Sequence, residues 1–265
     1  MKFVEKSLPL LPMKPLILIS NDDGYQSLGI QSLVKALSPL ARLVVVAPDK
    51  GRSGMACACT FSVPVYRWLV SEEEDVTVWG CSGTPVDCVK LAFADLLEEH
   101  PAMVVGGINH GDNSAVNAHY SGTMGVVYEG CMKGIPSVAF SLDSHDPFAD
   151  FTPLIPWIRR ITSYVLERGL PKGSCLNVNF PNLPEYKGVR ICRMAWGEWK
   201  NEFERRPHPR GGDYYWLTGA FELADTSDGQ ADRTALNEGY VAVTPFKLDA
   251  TDYALKAELE EWFTR

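Results

Sequence analysis

The sequence predicts an α/β fold built around a doubly wound, mostly parallel sheet. Short, continuous apolar runs occur at residues 16–20, 43–47, 103–108 and 136–141. A run of this kind is typical of a strand that is covered on both faces, as the strands of parallel sheets are. Segments with a helical spacing of apolar residues separate the runs, and this alternation implies right-handed βαβ crossovers.

The composition limits the class of protein. The chain has 265 residues, of which 46% are hydrophobic and 22% are charged, a mix typical of a soluble globular protein. This length predicts one α/β domain with a sizeable extension. The formal net charge is -8, and an acidic protein gains nothing from counterion release on a polyanion, so we expect no stable nucleic-acid complex. A small phosphorylated substrate is compatible with this charge if a metal supplies local positive charge.

The N-terminus and the cysteines indicate where the protein works. Residues 1–14 are predicted to be an N-terminal extension, in which Glu5, Pro9 and Pro12 interrupt any apolar run. We find no signal peptide of the usual form and no stretch long enough to span a bilayer, so we expect a cytoplasmic protein without a membrane partner. The seven cysteines form no zinc-type CxxC pair, and free thiols in a reducing cytoplasm are favoured over a catalytic cysteine.

The first predicted elements are the strand at 16–20, a turn at 21–24 and a helix at 29–37. The second strand, 43–47, is stopped by Pro48, and a loop follows.

A weaker, hairpin-like region covers 60–79, and the next helix begins at Thr84, a good N-cap followed by Pro85. The third strand leads to Asn109, a further helix runs from about residue 121 to 132, and the fourth strand is 136–141.

The pattern changes near residue 150. A helix at 152–168 precedes strand-like pieces, and the chain closes with an amphipathic helix; the pieces lie at 176–180, 188–194, 214–217 and 239–244, and the closing helix lies at 254–263. Strands without βαβ alternation predict an added region or an oligomerisation arm. We therefore divide a single domain, 15–265, into a core at 15–150 and a C-terminal half at 151–265.

Polar oxygen side chains follow three of the predicted strands. In an open parallel sheet, ligands bind just beyond the carboxyl ends of the strands. The residues at these ends are Asn21, Asp22 and Asp23, then Asp49 and Ser53, then Asn109. Adjacent carboxylates are costly unless a positive charge offsets them, and carboxylate, hydroxyl and amide oxygens suit Mg²⁺ or Mn²⁺. Each residue alone would be an ordinary turn, loop or cap residue, and their joint placement at one sheet edge is what favours a metal site.

Other candidates keep two interpretations. Ser121-Gly122-Thr123 precedes a helix, where free N–H groups favour an anion, although an ordinary N-cap explains the segment equally well. His110 is an acid/base candidate, although a histidine near a loop is more often a surface or hydrogen-bonded residue. The aromatic cluster at 196–216 is a base-stacking surface or, with more support, an arm that packs against a partner subunit.

Ordered motifs run along the chain from about residue 15 to 252: Ser20-Asn21-Asp22-Asp23-Gly24 with Gly29-Ile30, Ala47-Pro48-Asp49 with Arg52-Ser53-Gly54, Ser82-Gly83-Thr84-Pro85 with Asp87-Cys88-Val89, Gly107-Ile108-Asn109-His110-Gly111 with Asn113, Tyr120-Ser121-Gly122-Thr123, Glu129-Gly130, Gly134-Ile135-Pro136-Ser137, Asn177-Val178-Asn179-Phe180-Pro181, and Glu238-Gly239-Tyr240-Val241 with Thr244-Pro245. Together they resemble the SurE-like survival proteins. Motifs in this order over such a length are specific, whereas each alone is not.

The resemblance implies a Rossmann-like three-layer sandwich with a C-terminal β-hairpin and a swapped oligomerisation arm, assembled as a homodimer or homotetramer. It implies a metal-dependent phosphatase acting on nucleoside 5'- and 3'-monophosphates, with one Mg²⁺ or Mn²⁺ per subunit. The resemblance assigns catalysis to Asp22 and Asp23, and the metal to Asp22, Asp23, Ser53 and Asn109. It assigns substrate or phosphate contacts to Asn21, Asn113, Ser121, Gly122 and Thr123.

The chain departs from the family pattern at Ser27-Leu28 and in the apolar stretch 55–59, and these changes bear on substrate preference more than on the metal site. Direct hydrolysis by a positioned water is favoured over a phospho-aspartyl intermediate. The haloacid-dehalogenase pattern, which is typical of such an intermediate, has one residue between its two aspartates, whereas Asp22 and Asp23 are adjacent. Two other functions remain open: a catalytically silent nucleotide-binding module, and a hydrolase for another ester or short polyphosphate.

Overall fold

A computed structural model describes residues 14–224 and 229–264. The predicted N-terminal extension therefore lies, apart from Lys14, outside the described residues. The strands are β1 Leu16–Ser20, β2 Arg42–Pro48, β3 Arg67–Glu73, β4 Val76–Cys81, β5 Met103–His110, β6 Ser137–Asp143, β7 Ser174–Pro181, β8 Val189–Ile191, β9 Gly197–Lys200, β10 Phe203–Pro207, β11 Asp213–Leu217, β12 Ala220–Leu223 and β13 Val241–Lys247. The α-helices are α1 Leu28–Leu37, α2 Pro85–Leu91, α3 Gly122–Met132, α4 Ile155–Arg168, α5 Asp232–Asn237 and α6 Tyr253–Phe263.

Nine strands form the main sheet, in the order β3-β4-β2-β1-β5-β6-β7-β13-β8. The six strands from β4 to β7 are parallel to one another, whereas β3 and β13 are antiparallel to their neighbours β4 and β7. The predicted mostly parallel sheet is confirmed.

Helices cover both faces of this sheet, because alternate side chains of the buried strands point to opposite sides. Ile17 and Ile19 share a buried cluster with residues of α1 and α4. Leu18, between them, belongs to a cluster with Val89 of α2 and Val126 of α3. The protein is therefore a three-layer α/β sandwich, as the sequence predicts.

The caps of two helices follow from the sequence as expected. The Thr84 hydroxyl accepts a hydrogen bond from the Asp87 N–H at 3.1 Å, and the Asp87 carboxylate accepts one from the Thr84 N–H at 2.8 Å. This reciprocal pair satisfies two free donors at the start of α2. Ser121 caps α3 by accepting the Met124 N–H at 3.0 Å.

The predicted change of pattern near residue 150 is wrong in one respect. The unit β6–α4–β7 is a further parallel crossover, so βαβ alternation continues past this position. The strand expected at 188–194 is confined to Val189–Ile191, and three strands, β9, β10 and β12, were not expected. The hairpin-like region is confirmed as the antiparallel pair β3 and β4.

The C-terminal half also carries elements that lie outside the main sheet. The strands β9 and β12 form one antiparallel pair, and β10 and β11 form another whose residues are all exposed. Helix α6 buries none of its residues in the chain. Within the described ranges, every helix is too short or too polar to cross a membrane.

Candidate functional site

A cleft of about 390 Å³ opens beyond the carboxyl ends of β1 and β5. Its wall brings together residues from the core and from the C-terminal elements: Asp22, Ser53, Gly54, Asn109, His110, Gly111, Asp112, Asn113, Asn117, Tyr120, Ser121, His145, Trp199, Glu202 and Leu217. Ligands bind at this edge of open α/β sheets. Five of the residues that the resemblance assigns to the metal or the substrate therefore face one space: Asp22, Ser53, Asn109, Asn113 and Ser121.

Asp22 occupies the centre of this arrangement. It directly follows β1, is only 4% exposed, and accepts a hydrogen bond from the Thr123 hydroxyl at 2.6 Å. Burial raises the pKa of the Asp22 carboxyl from 3.8 to about 6; the Thr123 hydrogen bond lowers this pKa, and the neighbouring Asp23 raises it. No Lys, Arg or His in the described part of the chain forms an ion pair with Asp22. The site thus holds a carboxylate whose charge the protein itself does not neutralise.

Asp23 lies beside the cleft without lining it. Its carboxylate accepts the His110 N–H at 3.1 Å, and the His110 Nδ1 lies 3.7 Å away. Burial raises the pKa of the Asp23 carboxyl, and the contacts with His110 lower it. The two adjacent carboxylates therefore have different surroundings, one at the start of α3 and one against the end of β5.

Ser53 and Asn109 contribute neutral oxygen atoms to the wall. The Asn109 amide nitrogen donates to the Gly111 carbonyl at 2.7 Å, which fixes the orientation of the side chain. Its amide oxygen accepts no hydrogen bond from the described residues. The Ser53 loop is tied to the first strand end because the Arg52 N–H donates to the Asp22 carbonyl at 2.6 Å.

Asn21 and Asn113 have different placements. Asn21 is fully buried, and its amide donates to the Gly24 carbonyl and the Ser27 hydroxyl and accepts the Gly24 N–H, so it braces the turn and does not reach the cleft wall. Asn113 lines the cleft, and its amide donates to the Ser141 hydroxyl at 2.8 Å. The predicted substrate contacts of both residues stay predictions.

The start of α3 brings Ser121, Gly122 and Thr123 to Asp22. A Cβ atom on Gly122 would lie 2.7 Å from the Asp22 Cβ, so the absence of a side chain permits this close approach. Thr123 is completely buried and reaches the site through Asp22 rather than through the cleft wall. The N–H groups of a helix start at this position favour an anion, and the backbone hydrogen bond from Gly122 lowers the pKa of the Asp22 carboxyl.

Two histidines line the cleft, and the sequence analysis singled out only one. The His110 Nε2 is buried without a partner among the described residues, and its ring packs edge-on against Phe151 with centroids 5.0 Å apart. His145, beyond the end of β6, is exposed, and its ring lies over Gly111, where a Cβ would come within 2.6 Å of the imidazole. No motif in the sequence marks His145, since its position depends on the pairing of β5 with β6.

Part of the cleft wall comes from the C-terminal half. Trp199 on β9 lines the cleft together with Glu202 and Leu217. The sequence analysis placed Trp199 in the aromatic cluster but did not place it near Asp22. The contact that brings it there spans 82 residues, because the indole Nε1–H donates to the Asn117 amide oxygen at 2.9 Å.

Comparisons with known proteins show the family of this chain. Residues 17–201 match the family model described as survival protein SurE. The chain belongs to the SurE family.

Relatives within the SurE family cover nearly the whole chain. A protein of Phocaeicola vulgatus named 5'-nucleotidase SurE is 55% identical, and the match covers 94% of this chain and 97% of the relative. A protein of Bacteroides fragilis with the same name is 52% identical over 94% of this chain and 98% of its own. The crystal structure of the SurE protein from Aquifex aeolicus superposes with a TM-score of 0.80 at 36% identity, over 94% of this chain and 99% of that one. Fold and family therefore agree.

Proposed function

We propose that this chain is a divalent-metal-dependent phosphatase that hydrolyses nucleoside 5'- and 3'-monophosphates to nucleoside and phosphate. Membership of the SurE family, together with relatives named 5'-nucleotidase, makes it a hydrolase of phosphoric monoesters. The observation that carries the finer proposal is Asp22, a buried carboxylate without a cationic partner among the described residues, which shares a cleft with Ser53 and Asn109.

The residues present fit one Mg²⁺ or Mn²⁺ per subunit. The described ranges contain no group of three or more His, Cys, Asp or Glu side chains placed to hold a metal, so the donors must include neutral oxygen atoms. Hard cations accept carboxylate, amide and hydroxyl oxygens together. We assign the metal to Asp22, Asp23, Ser53 and Asn109. When bound there, the metal would polarise a phosphoryl oxygen and lower the pKa of a bound water.

Residues around the metal donors are arranged to hold the phosphate. We assign this role to Asn113, to Ser121 and to the N–H groups of Gly122 and Thr123, with Asn21 shaping the turn that presents Asp22. The free N–H groups of a helix start stabilise the equatorial oxygens of a transferring phosphoryl group. The Thr123 hydroxyl holds Asp22 in place while leaving its second oxygen free of side-chain hydrogen bonds within the described residues.

Asp22 or Asp23 orients the attacking water in this proposal, and hydrolysis is direct. In-line attack needs a held nucleophile and stabilised phosphoryl oxygens, and both can be supplied at this sheet edge. Attack by an aspartate itself is disfavoured because Asp22 is engaged by Thr123 at 2.6 Å and Asp23 by the His110 N–H at 3.1 Å. Covalent trapping of phosphate on Asp22 would overturn this choice.

The C-terminal half supplies surfaces for the proposed homodimer or homotetramer. The pair β10–β11 exposes Phe203, Tyr215 and Trp216, and α6 exposes Trp262 and Phe263. Apolar surface of this kind is typical of an interface. We propose that an exchanged α6 and the exposed β10–β11 hairpin join the subunits. We also propose that the protein is cytoplasmic, because reducing conditions suit its seven free cysteines. Sedimentation of the full chain beside a chain ending at residue 250 tests the role of α6.

The decisive experiment is phosphate release from a panel of 5'- and 3'-nucleoside monophosphates with Mg²⁺, with Mn²⁺ and with EDTA. The variant is Asp22→Asn, and the control is Asp146→Asn, which changes an exposed aspartate that does not line the cleft. We expect release that is abolished by EDTA and by Asp22→Asn, with Asp146→Asn unaffected.

Other results lead to different functions. A folded protein that binds metal but releases no phosphate from any nucleotide would be a hydrolase for another ester or polyphosphate. A protein that neither binds metal nor releases phosphate would be a silent nucleotide-binding module.

A further inference from the structure

One wall of the cleft has a chemistry that phosphate hydrolysis does not use. Asp22, Ser53 and Asn109 make the polar end, whereas Trp199 and Leu217 bring large apolar side chains to the same space. A volume of about 390 Å³ falls within the roughly 300–1,000 Å³ of small-molecule sites. The cleft therefore has room for more than a phosphate group.

The indole ring of Trp199 is held from two sides. Its Nε1–H donates to the Asn117 amide oxygen at 2.9 Å, and Asn117 itself lines the cleft. Its ring meets the edge of Phe221, the residue directly opposite on β12, with centroids 6.0 Å apart. Although fixed in this way, Trp199 is 36% exposed. A fixed, partly exposed aromatic face on a cleft wall is a stacking platform for a flat ligand.

Glu202 stands next to this platform. The Glu202 Cα and the Trp199 Cε3 each lie 3.4 Å from the point that a Cβ on Gly219 would occupy, so the two residues are immediate neighbours. Glu202 lines the cleft, and within residues 14–224 and 229–264 its carboxylate meets no cation or hydrogen-bond donor. An ionised carboxylate only accepts hydrogen bonds, and it can accept two at once from adjacent N–H groups.

The bases differ in what they offer to such an acceptor. Guanine presents two adjacent donors, N1–H and the N2 amino group, on its Watson–Crick edge. Adenine and cytosine present one amino group beside an unprotonated ring nitrogen, and uracil presents a single N–H between two carbonyls. A bidentate pair with a carboxylate is therefore available to guanine alone.

We propose that Trp199 and Glu202 form a nucleobase seat that selects guanine nucleotides. The Trp199 indole stacks on the base, and the Glu202 carboxylate accepts hydrogen bonds from its N1–H and N2 amino groups. This inference rests on the proposed function, because it assigns the base of the same nucleotide substrate to the part of the cleft wall formed by Trp199 and Glu202. It also gives the arm formed by β9 and β12 a role in substrate choice.

The test compares kcat and KM for guanosine, adenosine and cytidine 5'-monophosphates and for ribose 5-phosphate, which lacks a base. The variants are Trp199→Ala, Trp199→Phe, which keeps an aromatic face, and Glu202→Gln. The control is Trp196→Ala, which removes a more exposed tryptophan that does not line the cleft.

Loss of stacking is worth about tenfold or more in affinity. We expect Trp199→Ala to raise KM for the nucleotides by about this factor, to leave ribose 5-phosphate hydrolysis at the wild-type rate, and to be partly rescued in Trp199→Phe. Glu202→Gln is expected to reduce the preference for guanosine over adenosine monophosphate by about tenfold, since one bidentate pair is lost. Trp196→Ala should change none of these values.

Equal losses for ribose 5-phosphate and for nucleotides would overturn the proposal, because Trp199 would then act only by supporting the Asn117 loop. Binding of guanosine, followed by saturation-transfer NMR in EDTA, separates the seat from the reaction. Guanosine binding that is lost in Trp199→Ala supports the seat even if no phosphoester is hydrolysed. Absence of guanosine binding in the wild type overturns the seat and leaves the phosphatase proposal standing.

Discussion

The two ends of the cleft are built in different ways. Asp22 follows β1 in the centre of the nine-stranded sheet and is 4% exposed, whereas Trp199 lies on a two-stranded pair outside that sheet and is 36% exposed. The Asp22 end is fixed by buried strands and by the start of α3. At the Trp199 end, one side-chain hydrogen bond and one cross-strand ring contact hold the indole, and the arm that carries it is a two-stranded pair.

This contrast separates the chemistry from the choice of substrate. A group that must hold its position to a fraction of an ångström belongs on a rigid element, whereas a surface that only selects among ligands can be carried by a peripheral one. Changes in the arm formed by β9 and β12 can therefore alter specificity without disturbing the sheet edge. The predictions below test how independent the two ends are.

Asp232 joins the loop at Ala115 to the arm at Ala195, and its removal is expected to have the largest effect on stability. Its side chain is fully buried and accepts the N–H groups of Ala115 at 3.0 Å, Ala195 at 2.9 Å and Arg233 at 2.7 Å. Each unsatisfied buried donor costs about 1–3 kcal/mol. We expect Asp232→Ala to lower the free energy of unfolding by more than about 3 kcal/mol, measured by urea denaturation.

Asp232→Asn is the matched control, since it keeps an oxygen acceptor of the same size and should lose less than half as much. If Asp232→Ala unfolds at the wild-type urea midpoint, other contacts hold the loop at Ala115 and the arm at Ala195 together. The Asp232 hydrogen bonds would then contribute little to the position of the arm.

Asp22→Asn is expected to stabilise the metal-free protein even though it abolishes activity. Burial raises the pKa of the Asp22 carboxyl to about 6, so the folded state holds this proton more tightly than the unfolded state does. The Asp22 carboxyl therefore lowers the free energy of unfolding more and more as pH rises from about 4 to about 6, and the loss stays constant above pH 6. At 1.36 kcal/mol per pKa unit, the full cost is about 3 kcal/mol.

The measurement is the difference in unfolding free energy between Asp22→Asn and the wild type in EDTA at several pH values. The difference should be small near pH 4 and reach about 3 kcal/mol in favour of the variant above pH 6. Added Mg²⁺ or Mn²⁺ should stabilise the wild type and not the variant. A variant less stable than the wild type at pH 7 in EDTA would mean that the Asp22 charge is neutralised within the protein.

The sequence predicts the Asp22 end of the cleft far better than the Trp199 end. Strand β1 has the predicted bounds, and the strand ends that carry Asp22, Ser53 and Asn109 do meet at one edge. These positions follow from local rules, because continuous apolar runs mark buried strands and parallel strands place their carboxyl ends together.

The other end depends on long-range contacts that no local pattern encodes. Strands β9 and β10 have no regular alternation of buried and exposed residues, β12 has only four residues, and α5 has only six. The contact between Trp199 and Asn117 joins residues 82 positions apart, and the sequence pattern marks neither residue as a partner of the other. Peripheral elements held by a few such contacts are therefore missed, although they carry the proposed specificity.

Thr123 allows the smallest and sharpest test of the Asp22 end. Its hydroxyl, fully buried, donates to the Asp22 Oδ1 at 2.6 Å and has no direct place on the cleft wall. A residue that orients a metal ligand typically contributes about 10- to 100-fold to metal affinity or activity. We expect Thr123→Val, which keeps the shape and removes the donor, to lower kcat/KM by this factor and to weaken Mn²⁺ binding in parallel.

Thr123→Ser keeps the hydroxyl and should retain most of the activity, which separates the hydrogen bond from the packing of the methyl group. The guanosine to adenosine monophosphate preference should stay the same in both variants, because Trp199 and Glu202 belong to the C-terminal part of the cleft wall, outside the main sheet. A change in that preference would show that the position of Asp22 is transmitted to the base end. The separation of chemistry from substrate choice would then have to be abandoned, since one buried hydroxyl would control both.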